Sequence, residues 1–155
     1  IDVNKIVAAG HSSGGELAAF MGATNGMKQF EGEGGSKDVS SKVNAVIDLD
    51  GTLVFIHPES GEGDDSKRIS AATYWFGYSK TENPELWKQA APLTHVGKHT
   101  PPTKFINSSV TRMHAGREDF IAVLKQNKIY NDFFCNFCRY GSYCRGTLCW
   151  IYDLY

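Results

Sequence analysis

No cysteine precedes Cys135 in this 155-residue chain, no long apolar run occurs, and neither sign of charge prevails. All four cysteines (Cys135, Cys138, Cys144 and Cys149) crowd the last stretch. Disulfides therefore cannot staple the preceding residues to one another, and their stability has to come from a packed core. A membrane-spanning helix needs about 18 or more consecutive apolar residues, and the chain has no such run. Sixteen basic against 17 acidic side chains leave a net charge of −1. That balance argues against a nucleic-acid binder, which works by neutralising phosphates with a basic surface. The opening IDVNKIVAAG lacks the basic and apolar regions of a secretory signal. It begins almost on a strand, so the first residue reads as a cut edge. The length suits one domain, able to bury roughly 70% of its unfolded surface.

The apolar residues that are present alternate between two spacings. Lys5-Ile6-Val7-Ala8-Ala9 ends in Gly10 and suits a strand buried on both faces of a parallel sheet. Residues 13–24 switch to helical spacing, with Leu17, Phe20, Met21 and Thr24 on one side and Asn25-Gly26 as the stop. The polar, Gly-rich stretch 31–41 reads as a loop. Residues 43–49 (VNAVIDL) form a second buried strand ending at the turn signal Asp50-Gly51. Residues 57–67 read as a long polar loop and 69–76 as a short helix. Asn83-Pro84-Glu85 is a helix start, carrying the run to about Ala91 before Pro92. Thr103 to Asn107 (TKFIN) is a third strand, and 116–128 returns to helical spacing. Strands alternating with helices predict an α/β fold with an open, mostly parallel sheet.

Gly10-His11-Ser12-Ser13-Gly14 matches G-x-S-x-G, and it falls between the first strand and the first helix. A nucleophile elbow sits at that junction. Ser12 is expected in a sharp strand-to-helix turn, with Gly10 and Gly14 avoiding collision with neighbouring backbone. Gly15, Ala18 and Ala19 would let the helix approach the sheet. The helix N-terminus directs its partial positive charge at Ser12, and the Ser13 N–H is placed to donate to an oxyanion. An inert serine in a Gly-rich turn is the plain alternative.

The stretch IDVNKIVAAGHSSGGELAAFMG resembles the nucleophile region of the α/β-hydrolases, and is most similar to bacterial esterase/lipase-like members related to acetyl xylan and pectin esterases. Asp2, Asn4, Lys5 and Ile6 fit that group's phrase before the nucleophile strand. Residues 45–51 (AVIDLDG) and 101–124 (PPTKFINSSVTRMHAGREDFIAVL) resemble its next two strands. The resemblance implies an α/β-hydrolase-type, mostly parallel sheet over residues 1–132, incomplete because the N-terminal strands are absent. It implies a serine carboxylesterase with a Ser–acid–His triad, acting on an acylated plant polysaccharide or a small acyl ester. It further implies no metal or cofactor, and a periplasmic or secreted setting. A serine peptidase of the same fold and a catalytically inactive interaction or assembly subunit are the alternatives.

The triad acid has more than one candidate. The expected place after the third strand, residues 107–111, holds no carboxylate. Asp50, at the C-terminal end of the second strand, faces the crevice where ligands bind in such sheets and is the first choice. Asp119 and Glu118 are the alternatives, and Asp50 merely shaping its turn is the plain reading. Asp48 is expected to bond backbone or cap an element. No histidine follows His114, where the family places its base. His11 is expected to point away from the Ser12 face, and His57, His95, His99 and His114 to lie in loops or turns. Aromatic residues 74–76 and Trp87 suit a small packed cap better than a sugar platform.

The tail from Phe133 to Tyr155 has a foreign composition, without Glu, Lys, Gln, Ala or Val. A shifted reading frame is one account. Codons able to encode residues 136–140 can, read one base later, encode text resembling the family before its histidine. A four-thiol zinc site is the rival, although the spacing departs from paired CxxC motifs; disulfides are another, and unpaired thiols are the expectation. With the earlier strands missing, the nucleophile strand should present an unpaired apolar edge that invites self-association. The upstream loop that supplies a second oxyanion N–H would be missing too, so hydrolysis by the chain alone should be very weak.

Overall fold

A computed structural model describes residues 1–36 and 38–135. Four strands form one all-parallel sheet in the order β1-β2-β3-β4: β1 Val7–His11, β2 Ala45–Leu49, β3 Thr103–Asn107 and β4 Asn131–Cys135. The helices are α1 Ser13–Ala23, α2 Ala71–Phe76, α3 Pro84–Ala90, α4 Pro92–His95 and α5 Arg117–Gln126. Each parallel pairing requires a crossover, and helical segments lie in every one, as the alternating spacings predict. No helix among the described residues is long and apolar enough to cross a membrane.

Local signals account for several boundaries. Asn83 accepts from Leu86 N–H at 3.2 Å and Pro84 opens α3, as its sequence indicates. Ser70 caps α2 by accepting from Thr73 N–H at 3.0 Å. Asp65, in the 57–67 loop, accepts from Ser70 N–H and Thr73 Oγ1, tying that loop to the start of α2.

The face that α1 buries differs from the expected stripe. Leu17 and Met21 are about half exposed, whereas Gly15, Ala18, Ala19, Gly22 and Ala23 are buried. The cause is the close approach of the helix to β2. A Cβ on Gly22 would lie 2.5 Å from Val46 Cγ2, and one on Gly15 would lie 2.5 Å from Asp48 Oδ1. At that separation only the small-residue face fits, so the larger side chains turn outward.

β1 likewise departs from a strand buried on both faces. Its burial alternates between exposed and intermediate, and Val7 is 50% exposed. It pairs with β2 alone among the described residues, leaving the expected unpaired edge. β4 was not foreseen as a strand. It pairs with β3 from Thr103↔Asn131 to Asn107↔Cys135 and carries the sheet across position 133, where the foreign composition begins. Lys104 Nζ meets Asp132 at 3.0 Å, and the Arg117 guanidinium lies 4.0 Å from the Phe133 ring centroid. The zinc, disulfide and reading-frame alternatives turn on Cys138, Cys144, Cys149 and residues 136–140, which lie outside the described residues.

The main core gathers Leu53, Phe105, Phe120, Ile121 and Leu124 with Ala19 and Ala23. A second cluster packs Phe55, Ala72 and Trp87, with Phe76 against it. Phe55 and Trp87 meet edge to face at 5.7 Å, and Trp87 Nε1 donates to Tyr78 O at 2.9 Å. Each large buried side chain contributes on the order of 1.5–3 kcal/mol by leaving water. Trp87 and Phe76 thus act as cap packing, as expected, while Tyr74 and Trp75 remain exposed.

Candidate active site

Ser12 stands between the last residue of β1 and the first of α1, with φ 56° and ψ −122°. A non-glycine residue in that left-handed region stores on the order of 1–3 kcal/mol of strain. Hydrogen bonds hold it there: Ser12 N–H donates to Leu49 O at 2.8 Å, and Ser12 O accepts from Glu16 N–H at 3.0 Å. The Ser12 side chain does not cap α1. Among the described residues no hydrogen bond takes the Ser13 N–H.

The glycines divide differently from the expectation. A Cβ at Gly10 would collide with the Gly14 backbone, so Gly10 is required. Gly14 itself has open space where a Cβ would stand, because it faces outward on the first turn. The second tight position is Gly15, whose Cβ would lie 2.9 Å from Leu49 O and 3.0 Å from Gly51 N. The expected steric demand at Gly14 is therefore carried by its neighbour.

A cavity of about 300 Å³ opens beside the elbow. Ser12 and Ser13 border it, Phe55, Trp75 and Met113 supply apolar wall, and Glu16, Thr52 and Glu62 supply polar groups. Glu16 is 8% exposed. Burial first, then the charges of Glu62 and Asp48, push its carboxyl up to about 8. Glu62 pairs with Arg112 at 2.7 Å.

The turn after β2 presses against the same first turn of α1. Asp48 is fully buried and accepts from Gly51 N–H at 2.7 Å, the backbone role expected of it. Its Oδ2 has no partner. Burial lifts its carboxyl to about 7, against the lowering effect of the Gly51 hydrogen bond, with Asp50 adding to the rise. Asp50 has φ 53° and is held from β3. Its Oδ1 accepts from Ser108 N–H at 2.7 Å and from Asn107 Nδ2 at 3.4 Å. Partial burial works against its charge, but the Ser108 and Asn107 hydrogen bonds and nearby His114 keep its carboxyl below the usual range. Behind it, Arg117 Nη1 donates to Asn107 Oδ1 at 3.0 Å.

The alternative acids lie elsewhere. Glu118 forms an exposed pair with Arg117 at 2.7 Å. Asp119 Oδ2 lies 3.6 Å from His57 Nε2. None of Asp50, Glu118 and Asp119 borders the cleft, and no histidine does; Asp50 differs in lying on the turn that follows β2, whose Leu49 O accepts from Ser12 N–H. His95 is bonded to Gln89 O, His99 to Ala23 O and His114 to Ser108 O. His57 Nδ1 accepts from Glu59 N–H at 3.2 Å, and His11 is exposed. The structure thus brings Ser12, Ser13 and the Asp48–Asp50 turn together without an imidazole bonded to Ser12.

Sequence reasoning overlooked Glu16, Glu62, Asn107, Ser108 and Arg117. Glu16 was within reach of it, since a residue four after the nucleophile lies one helical turn along the same face. Asn107 and Ser108 end β3 as Asp50 follows β2, so strand-end position was their signal.

A strained serine between a parallel strand and a helix, beside a cleft at the strand ends, defines an α/β-hydrolase. The chain belongs to the BD-FAE family, whose model matches residues 1–113. Similar solved structures include esterases and carbohydrate esterases, and at 17% identity an acylaminoacyl peptidase. A truncated form of a carbohydrate esterase from gut microbiota is 25% identical, with TM-score 0.71 over 87% of this chain and 52% of that one. An acetyl ester-xyloside bifunctional hydrolase from Caldicellulosiruptor lactoaceticus is 20% identical, with TM-score 0.60 over 87% and 47%. A thermophilic esterase from Thermogutta terrifontis is 22% identical, with TM-score 0.59 over 87% and 45%; at these lower identities the likeness is one of fold. The chain spans about half the length of each. No curated protein matches it. The α/β-hydrolase esterase relationship read from the elbow is thereby established.

Proposed function

We propose that this chain carries the nucleophile part of a serine carboxylic-ester hydrolase, working through an acyl-enzyme on Ser12. The carrying observation is the strained Ser12 backbone, φ 56° and ψ −122°, at the border of the 300 Å³ cleft. Ser12 Oγ loses its proton to a general base as it attacks the ester carbonyl carbon, and the carbonyl electron pair moves onto its oxygen. The free Ser13 N–H at the start of α1 stabilises that oxyanion. That same proton is then passed to the departing alkoxide, and water attacks the acyl-enzyme to release the acid and restore the serine. Asp50 is the acid that orients an imidazole, since hydrogen bonds from β3 hold it ionised at the strand ends. No base is assigned among this chain's histidines: His95, His99 and His114 each bond a backbone carbonyl through Nε2, His57 Nδ1 accepts from Glu59 N–H, and His11 is exposed on β1. The substrate class is an acylated plant polysaccharide or a small acyl ester, the first in keeping with the carbohydrate esterase among the similar structures.

A fluorophosphonate probe tests the nucleophile. The expected outcome is one adduct on the Ser12 tryptic peptide, lost in Ser12→Ala. A folded protein that takes no label overturns the hydrolase reading for this chain. A second reading, an inactive interaction subunit, draws on the cleft having no histidine on its walls, and absence of labelling supports it.

A further inference from the structure

The cleft contains a polar group that the acyl-transfer steps leave unused. Glu16 is more than nine-tenths buried and borders the cavity together with Ser12. Among the described residues neither an ion pair nor a side-chain hydrogen bond satisfies its carboxyl. The fully enclosed unpartnered oxygen among these residues is Asp48 Oδ2 and not an oxygen of Glu16, so the Glu16 carboxyl opens onto the cavity, where a ligand can take the place of water. We propose that Glu16 is the specificity-determining residue of the cleft, hydrogen-bonding a hydroxyl group on the substrate beside the ester. This rests on the reading of the cleft as the ester site of Ser12.

The surrounding charges select the ligand's chemistry. Glu62, the other carboxylate at the cavity, already has its cation in Arg112. Asp48 lies behind the first turn of α1, fully buried and bonded to Gly51 N–H. With its carboxyl lifted to about 8, Glu16 is mostly protonated at neutral pH. The cleft therefore offers a cation no free carboxylate, and no Lys, Arg or His among its lining residues offers an anion a counter-charge. A neutral hydroxyl suits a carboxylic acid, which both donates and accepts. The exposed indole of Trp75 on the same wall, stacked on Phe76 at 5.3 Å, has its other face for the apolar side of a hydroxylated ring to lie on.

Equilibrium titration of the full chain at pH 7, followed by NMR of the Glu16 amide and the Trp75 indole, tests the assignment. The probes are methyl β-D-xylopyranoside, cyclohexanol and cyclohexylammonium. The xyloside is expected to bind most tightly of the three. Glu16→Gln, which keeps neutral hydrogen bonding, should hold its affinity within about twofold. Glu16→Leu should weaken it about tenfold, the value of one lost hydrogen bond of ~1.4 kcal/mol. Removing the carboxyl also removes its desolvation cost, so the leucine variant should melt no lower than the parent chain at pH 7. Three results overturn the proposal: no xyloside binding, equal binding by the leucine variant, or preference for cyclohexylammonium that Glu16→Gln abolishes. Binding needs no turnover, so a chain that binds the xyloside through Glu16 but resists the fluorophosphonate refutes the hydrolase reading alone.

Discussion

Three carboxylates at the elbow differ by environment. Asp50 takes hydrogen bonds from Ser108 and Asn107 and stays ionised, whereas Asp48 and Glu16 are buried with too few donors and hold their protons to about 7 and 8. An acid with a raised pKa binds more protons folded than unfolded. Its contribution to stability is complete below the unfolded value near 4 and is lost as pH rises through the folded value. Thermal stability should therefore fall between pH 5 and pH 8, by up to about 1.4 kcal/mol per pH unit for each group. Asp48→Asn should flatten that slope and raise the midpoint at pH 8 by roughly 3 °C or more. Calorimetry across pH 5 to 8 checks both; a flat profile in the parent chain contradicts the burial of these groups as charged liabilities. The same residues mark the reach of sequence reading. Ser12 was legible because a motif and an element junction coincide. The place of Glu16 on the nucleophile's side of α1 was legible from its spacing, but its burial beside Glu62 and Asp48 was not.

At the scale of elements, the contact between α1 and β2 positions the elbow. The helix is laid close enough that Gly15 and Gly22 meet Asp48 and Val46. Gly15→Ala should destabilise by about 2–3 kcal/mol, since its Cβ would meet the Leu49 and Gly51 backbone as well as a side chain. Gly14→Ala should be neutral or stabilise by up to about 1 kcal/mol, because the site is open and alanine favours helix. Urea denaturation of the two variants checks the pair, and equal losses would mean that Gly14 is as confined as its neighbour. Helical periodicity located α1 within a residue or two, and Gly15, Ala18 and Ala19 lie against the sheet as expected. Of the expected stripe, however, only Thr24 is buried and Phe20 partly so, while Leu17 and Met21 are half exposed. Leu17 and Met21 were the more hydrophobic stripe, yet interhelix and helix–sheet distance, not hydropathy, selects what lies underneath. β3 was read without error from TKFIN, a short β-rich run behind two prolines. β4 was missed because its composition resembles the tail rather than the sheet it joins.

For the molecule as a whole, the order β1-β2-β3-β4 places the nucleophile strand at a sheet edge among the described residues. Val7 on that edge strand is half exposed, as are Leu17 and Met21 on α1. A net charge of −1 gives little mutual repulsion between copies. We propose that a second copy of the chain pairs along β1. Sedimentation should show species heavier than the 17.1 kDa monomer, and Val7→Lys, a charge on the edge strand, should shift the population to monomer. A parent chain that sediments as a single monomer at high concentration refutes this pairing.

Local information sufficed for the alternation of strands and helices, the elbow at Ser12, the cap at Asn83 and the kinship with esterases. Such features depend on residues close together in the chain, where turn chemistry and periodicity act. Assembly was needed to reveal that Leu17 and Met21 stay half exposed, that Gly15 rather than Gly14 is the confined glycine, and that Asp50 is held by Asn107 and Ser108. It was needed as well to bring Glu16, Glu62 and Trp75 around one cavity. These depend on contacts between segments tens of residues apart, and their free energies arise from packing distance and lost hydration, quantities that a linear pattern does not encode.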